Sequence, residues 1–375
     1  MPRQRPARRP EPPGCTCRSF LRMMTAREFN DPNPDPAASS GVTALPSPRP
    51  CHVLVVSNHW KKADNRTFAA VWVDRQVTAL RALGVEVSTF DIGSSHSPGD
   101  LWAAWKGLRA EVRRLRPDLV HARYGTITAM LCVWSGCRSL ITYAGSDLLP
   151  GAGISWVRTW VGILLSNLAA LKADALICVS GQLRRALWWR RGAARVIPDG
   201  VNLERFIPID REEARRRLGW PADRRIVVMD AARDPVNKGL AVAEAAMERV
   251  RGVFPDAELR VFVGVKPDEM PLHYSAADAL LCASRQEGSP NVVKEALACN
   301  CPVVATPVGD VEERLEGVVP ARVVRRDAES IAAGLIEILR ERRRCNGRQA
   351  VLGLGIDQVA RRVVEVYLGV KESLS

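Results

Sequence analysis

Short apolar runs alternate with stretches of helical period from His52 to the C-terminus, a pattern that predicts α/β architecture with largely parallel sheets. Residues 52–57 (His-Val-Leu-Val-Val-Ser) read as a buried strand. Phe68, Val71, Val77 and Leu80 then share a helical face within 65–83, Gly84 ends that helix, and 85–90 form the next strand. Helix 101–115, the turn Arg116-Pro117-Asp118, strand 119–122, a helix at 127–134 and a strand at 140–143 follow. Strands at 175–179 and 195–198 complete a first domain. A second domain opens with strand 226–230, helix 240–250 and strand 259–263. Further buried-type strands lie at 278–282 and 302–305, and an amphipathic helix at 354–370 closes the chain. The expected organisation is a tail at 1–50, Rossmann-like domains at 51–205 and 206–355 facing a cleft, and a helix at 356–375 packing back toward the first domain. The hinge is expected around 206–223.

One polar interruption carries chemistry. Between the strands at 278–282 and 302–305 stands Glu287-Gly288-Ser289-Pro290-Asn291-Val292-Val293-Lys294-Glu295. Ser289 suits an N-cap and Pro290 the first helical position, where a missing N–H costs nothing. Glu287 then falls in the loop and Glu295 in the second helical turn, on either side of a helix N-terminus that attracts anions. Two hydroxyl-accepting carboxylates around a phosphate site describe a sugar nucleotide. The plainer reading is an amphipathic helix with two solvated glutamates. Strand, loop, helix and strand place the block at the carboxyl edge of a parallel sheet, where such folds bind ligands.

Composition adds a partner and removes others. Residues 1–50 recur in Pro and Arg, cannot bury a core, and are expected to be disordered; Met23 and Met24 are alternative starts. No apolar run there is long enough for a signal peptide. Residues 1–200 hold 27 Lys+Arg against 14 Asp+Glu, whereas 201–375 hold 27 of each, so the net +13 lies wholly in the N-terminal part. That asymmetry implies an anionic partner. The run 155–171 carries Trp156 and Trp160, and Trp188-Trp189-Arg190-Arg191 follows Leu187. It is too short to span a bilayer; it fits either a buried helix or contact with an anionic membrane surface. No module interleaves aromatics with cations as nucleic-acid binders do, so nucleic acid is not an expected partner. The ten cysteines show no metal-ligand spacing and several fall in apolar strands, which points to thiols in a reducing cytoplasm.

The double-Glu block, Asp199-Gly200-Val201-Asn202 and Asn237-Lys238-Gly239 together resemble the family-4 retaining glycosyltransferases of the GT-B fold. The run EGSPNVVKEALACNCPVVATPVGD (287–310) is most similar to members that build bacterial cell-wall and capsule polymers, such as the teichuronic acid transferases. The resemblance implies that Glu295 holds the ribose hydroxyls and that Glu287 binds hydroxyls of the donor sugar. It puts the backbone of Gly288, Ser289, Asn291, Val292 and Val293 near sugar and diphosphate, with Lys238 and Arg233 bracketing the diphosphate. It also implies a nucleoside diphosphate sugar as co-substrate, no metal cofactor, and a lipid-linked or polysaccharide acceptor. His121 and Asp147 fall in segments similar to the family's His-x-His and His-Gly-Ser-Asp stretches; for both, a structural role (strand-end histidine, Asx-turn or cap) is the alternative. The second histidine of the first stretch is Arg123 here, the histidine of the other is Ala144, and Ala70 stands where a loop glycine is expected. A sugar-nucleotide epimerase, or a sugar-nucleotide-binding homologue with weak catalysis, are the alternative functions.

Overall fold

The computed structural model describes residues 51–58, 68–93, 97–151, 155–232 and 234–372, with side chains in the second of these stretches from residue 73. Six strands form an all-parallel sheet: β1 (His52–Ser57), β2 (Glu86–Asp91), β3 (Leu119–Ala122), β4 (Ser139–Tyr143), β5 (Ala175–Cys178) and β6 (Ala194–Val196). Five more make a second parallel sheet: β7 (Arg225–Met229), β8 (Ala257–Val261), β9 (Ala279–Cys282), β10 (Val303–Ala305) and β11 (Ala321–Val323). Central strands such as β3, β4, β9 and β10 are buried at every residue, because helices cover both faces of a parallel sheet.

The N-terminal half supplies α1 (Phe68–Ala82), α2 (Pro98–Leu115), α3 (Thr126–Val133), α4 (Trp156–Lys172) and α5 (Gly181–Ala186). The C-terminal half supplies α6 (Arg211–Leu218), α7 (Pro235–Lys238), α8 (Leu240–Arg251), α9 (Met270–Ala276), α10 (Asn291–Ala298), α11 (Val311–Leu315), α12 (Ala328–Glu341) and α13 (Gly347–Val351). The last helix, α14 (Ile356–Glu372), returns to the first sheet, where Val359, Val363 and Tyr367 share a core with Val73, Val77 and Leu80 of α1.

Strand order is β2-β1-β3-β4-β5-β6 in the first sheet and β11-β10-β9-β7-β8 in the second. The order reverses between β1 and β3 and again between β7 and β9, and crevices open beyond the carboxyl ends of such neighbours. The chain passes between the halves twice, and the passes run side by side: Val201 N donates to Leu354 O (2.9 Å) and Ile356 N to Val201 O (3.0 Å). A Cβ on Gly200 would lie 2.7 Å from the Ile356 Cα, so only glycine lets the passes approach this closely. The segment expected as a hinge instead carries α6, whose buried Arg215 pairs with Asp278 at 2.8 Å and ties α6 to the start of β9.

Candidate functional site

Because β7 and β9 are neighbours, the loops that follow them meet over the sheet edge. Asp234 caps α7 by accepting from Asn237 N (3.1 Å), and Gly239 ends it at φ +79°. A Cβ at Gly239 would stand 2.4 Å from Ala283 O. Two further bonds lock this turn onto the β9 loop: Arg285 N to Asn237 O (2.7 Å) and Asn237 Nδ2 to Gln286 O (3.1 Å). The lock delivers Lys238 Nζ to Glu287 Oε1 at 2.7 Å, an oxygen that also accepts from Ser284 Oγ at 2.8 Å. Burial works against the ammonium, but the Glu287 charge outweighs it and holds Lys238 above its ordinary pKa.

Behind this pair three glycines stack backbone on backbone. A Cβ on Gly288 would lie 1.8 Å from Ala144 O, and one on Gly309 (φ +62°) would lie 2.6 Å from Gly288 O. Gly145 (φ +155°) approaches Gly288 from the other side, its would-be Cβ 3.3 Å from Gly288 N. Asp147 shapes this contact: it is fully buried and accepts from the amides of Gly125 (2.9 Å), Ala144 (3.0 Å) and Gly145 (2.8 Å). Burial raises its pKa while those amides pull it down. Its carboxylate is thus engaged by backbone, in an Asx-type brace, and holds the loop of the first half against Gly288 of the second.

Glu295 lies in the second turn of α10 and lines a cavity of about 1280 Å³ between the halves. Asp74 and Arg75 of α1 line it on one side, Asn202 and Gln358 beside the two passes, and Lys238, Phe262 and Val292 on the other. Glu295 Oε2 accepts from Tyr274 Oη at 3.2 Å, and Oε1 stands 3.5 Å from the Arg75 guanidinium. Burial pushes its carboxyl up to about 7, against the opposing pull of Arg75, Tyr274 and Lys294. Glu287 itself does not line this cavity; it reaches it through Lys238, which does. Two side-chain carbonyl oxygens near this edge, Asn237 Oδ1 and Asn291 Oδ1, are buried with no donor.

The remaining residues singled out from sequence sort clearly. Val292 reaches the cavity, whereas Val293 is wholly in the core. Ser289 does not cap α10: Pro290 occupies that position, and the Ser289 hydroxyl donates to Asp310 Oδ2 (3.0 Å) while accepting from Lys294 Nζ (2.9 Å). The buried Lys294 pulls it inward, because an ammonium without partners there is costly. Lys294 also donates to Asp199 O (2.7 Å), and the Asp199 side chain meets Arg123 at 3.3 Å, so Arg123 is bound to the passing chain. His121 is fully buried in β3, with Nδ1 2.7 Å from Tyr367 Oη and Nε2 2.7 Å from Thr142 Oγ1. Burial and Arg123 hold it well below its ordinary pKa, so it is a neutral core histidine away from the cleft. Arg233 lies outside the described residues.

Sequence reasoning missed Arg75, Tyr274 and Ser284. Arg75 meets Glu295 across 220 positions, and no local pattern encodes such a pairing. Ser284, three residues before Glu287, was within reach of motif reading. The described cysteines are unbridged thiols, all buried except the half-buried Cys137. Among the described residues no group of three or more His, Cys, Asp or Glu is disposed to hold a metal ion.

Comparison with known proteins matches this arrangement. Residues 43–205 match the model for Glycosyltransferase Family 4 and residues 233–341 the model for Glycosyl transferases group 1. A Bacillus subtilis protein assigned as the teichuronic acid biosynthesis glycosyltransferase TuaC is 30% identical over 230 residues, which is 53% of this chain and 55% of that protein. The chain thus spans about half the length of the curated relatives it matches. Among solved structures, sucrose-phosphate synthase from Thermosynechococcus elongatus superposes with a TM-score of 0.68 at 21% identity, covering 86% of this chain and 99% of that one. HepE of Anabaena in complex with UDP-glucose superposes at 0.58 and 16% identity, covering 86% and 99%. Two parallel α/β halves about a cleft, the first matched by the family-4 model and the second by the group-1 model, give the chain glycosyltransferase domains of these two kinds in the GT-B fold.

Proposed function

We propose that the protein transfers a sugar from a nucleoside diphosphate sugar to a hydroxyl acceptor, with retention at the anomeric carbon. The observation that carries this reading is the Lys238–Glu287 pair at the edge of a cavity that Glu295 also lines. Glu295 accepts the ribose hydroxyls, Lys238 faces the diphosphate, and Glu287 both positions Lys238 and accepts from the sugar. As the glycosidic bond breaks, charge builds on the leaving diphosphate, and a fixed cation there stabilises the transition state in the role a divalent metal fills elsewhere. The acceptor oxygen bonds to the anomeric carbon while its proton passes to the leaving phosphate, so no protein base is required. UDP is the donor nucleotide to try first, since HepE binds UDP-glucose in the same fold.

The acceptor in this reading is lipid-linked or polymeric and is met at an anionic, cytoplasmic membrane face. No helix among the described residues is long and apolar enough to cross a membrane. Support comes from α4, whose Trp156, Trp160, Leu164, Leu168 and Leu171 are exposed in one stripe while Ile163, Asn167 and Ala170 face the core. The stripe runs about 22 Å at 1.5 Å per residue. Its helix contains no acidic residue, and the neighbouring Trp188 and Trp189 are also exposed, their segment tied to the helix by Trp188 N to Asn167 Oδ1 and by Arg190 to Ala170 O.

The test is transfer from a panel of nucleoside diphosphate sugars with and without acceptor, the anomeric configuration of the product being read by NMR. Acceptor-dependent product of unchanged configuration is expected. Interconversion of the donor without acceptor would mark an epimerase. The engagement of Arg123 with Asp199 favours a second reading, a binding protein of weak activity, and nucleotide binding by calorimetry without turnover would support it.

A further inference from the structure

The ion pair between Arg75 and Glu295 joins the halves inside the cavity itself. Arg75 belongs to α1 of the first half, Glu295 to α10 of the second, and their side chains are 16% and 5% exposed. Every other group on Glu295 comes from the second half: the Tyr274 hydroxyl from α9 and the Lys294 charge from α10. Around Arg75 stand Arg205 and Asp268, themselves paired at 3.1 Å, and Asp230 lies near Tyr274. A buried carboxylate with one hydroxyl donor and a single nearby guanidinium depends on that guanidinium for its charge.

Building on the nucleotide site proposed above, we propose that Arg75 is a positioning residue contributed across the cleft: it keeps Glu295 ionised and aimed as a hydroxyl acceptor, so the pocket grips a nucleoside diphosphate only with the two halves together. The ribose hydroxyls then share the carboxylate with Arg75, since its two oxygens offer more acceptor sites than Arg75 and Tyr274 occupy. Glu295 sits poised near neutrality, its carboxyl at about 7, so loss of the nearby cation is legible in the physiological range.

The experiment measures UDP binding to the full chain by calorimetry from about pH 6 to about pH 9, a span that brackets this carboxyl. Affinity of the unaltered protein is expected to weaken as pH falls through about 7, where Glu295 takes up a proton. In Arg75→Met the midpoint moves to higher pH, and below it affinity drops about tenfold for each pH unit of displacement. Arg75→Lys, which keeps a cation, retains a midpoint close to the original and guards against a mere folding defect. A midpoint in Arg75→Met unchanged from that of the unaltered protein overturns the proposal. Glu295→Gln separates the two levels: if it binds UDP as tightly as the unaltered protein at every pH, the ribose reading has failed and the role of Arg75 with it. If it binds weakly while Arg75→Met keeps the original midpoint, only the role of Arg75 falls.

Discussion

Lys238 and Glu287, 49 positions apart, meet at 2.7 Å because a one-turn helix after β7 and a loop after β9 are bolted together by backbone hydrogen bonds. Each holds the other: the carboxylate keeps the ammonium charged, and the ammonium occupies an oxygen otherwise shared only with Ser284. Lys238→Met is therefore expected to lower kcat/KM for transfer by roughly 10²–10³, the scale on which a single fixed transition-state donor acts. Steady-state kinetics with saturating acceptor check it, and a loss confined to KM would show that Lys238 binds the ground state alone.

The two glutamates are expected to fail differently. Glu287→Gln releases the clamp on Lys238 and removes the sugar's acceptor, so turnover collapses while UDP still binds. Glu295→Ala removes the ribose contacts, and UDP affinity falls roughly 10–100-fold, since charge-assisted hydrogen bonds are worth about 1.5–3 kcal/mol each. Calorimetry beside single-turnover kinetics separates them; equal effects on both quantities in both variants would count against the division of roles.

Gly288→Ala forces a methyl group against the Ala144 carbonyl, a backbone atom that no side-chain rotation can move. The loops of the two halves must part, at a cost of about 1–3 kcal/mol or more. Denaturant melts and transfer rates are expected to fall together. Gly353→Ala, with open space around its Cβ position, is the control.

His121 tests stability apart from catalysis. Its folded-state pKa is depressed, so it contributes stability that is fully present above its unfolded value near 6.5 and is lost as pH falls below it, when the buried ring must take up a proton. Tyr367→Phe strips Nδ1 of its partner and is expected to cost about 1–3 kcal/mol. The donor KM stays unchanged in that variant, whereas a cleft role for His121 would raise it.

The exposed stripe of α4 predicts association with lipid. Trp156→Ser combined with Trp160→Ser is expected to abolish co-sedimentation with anionic vesicles while leaving UDP binding intact. Vesicles of neutral phospholipid should retain the unaltered protein poorly, because the exposed Arg158 and Lys172 then lose their counter-charges.

Much of this molecule is written in local pattern. Strand 119–122 coincides with its expected span, and 140–143 and 175–179 differ from β4 and β5 by one residue at one end, since runs buried on both faces carry a strong period-free apolar signal. The double-Glu block was legible because loop, helix start and strand follow one another within a single structural unit. Ser289 was misjudged as a cap because its nearest competitor, Asp310, comes from a loop beyond the following strand. Only the packed fold could decide that His121 and Asp147 serve the core and a loop brace, that Arg75 reaches Glu295, and that Gly288 must carry no side chain. Local sequence encodes periodicity and capping over a few residues, whereas these four facts depend on which backbone and charge arrive from more than twenty and up to 246 positions away.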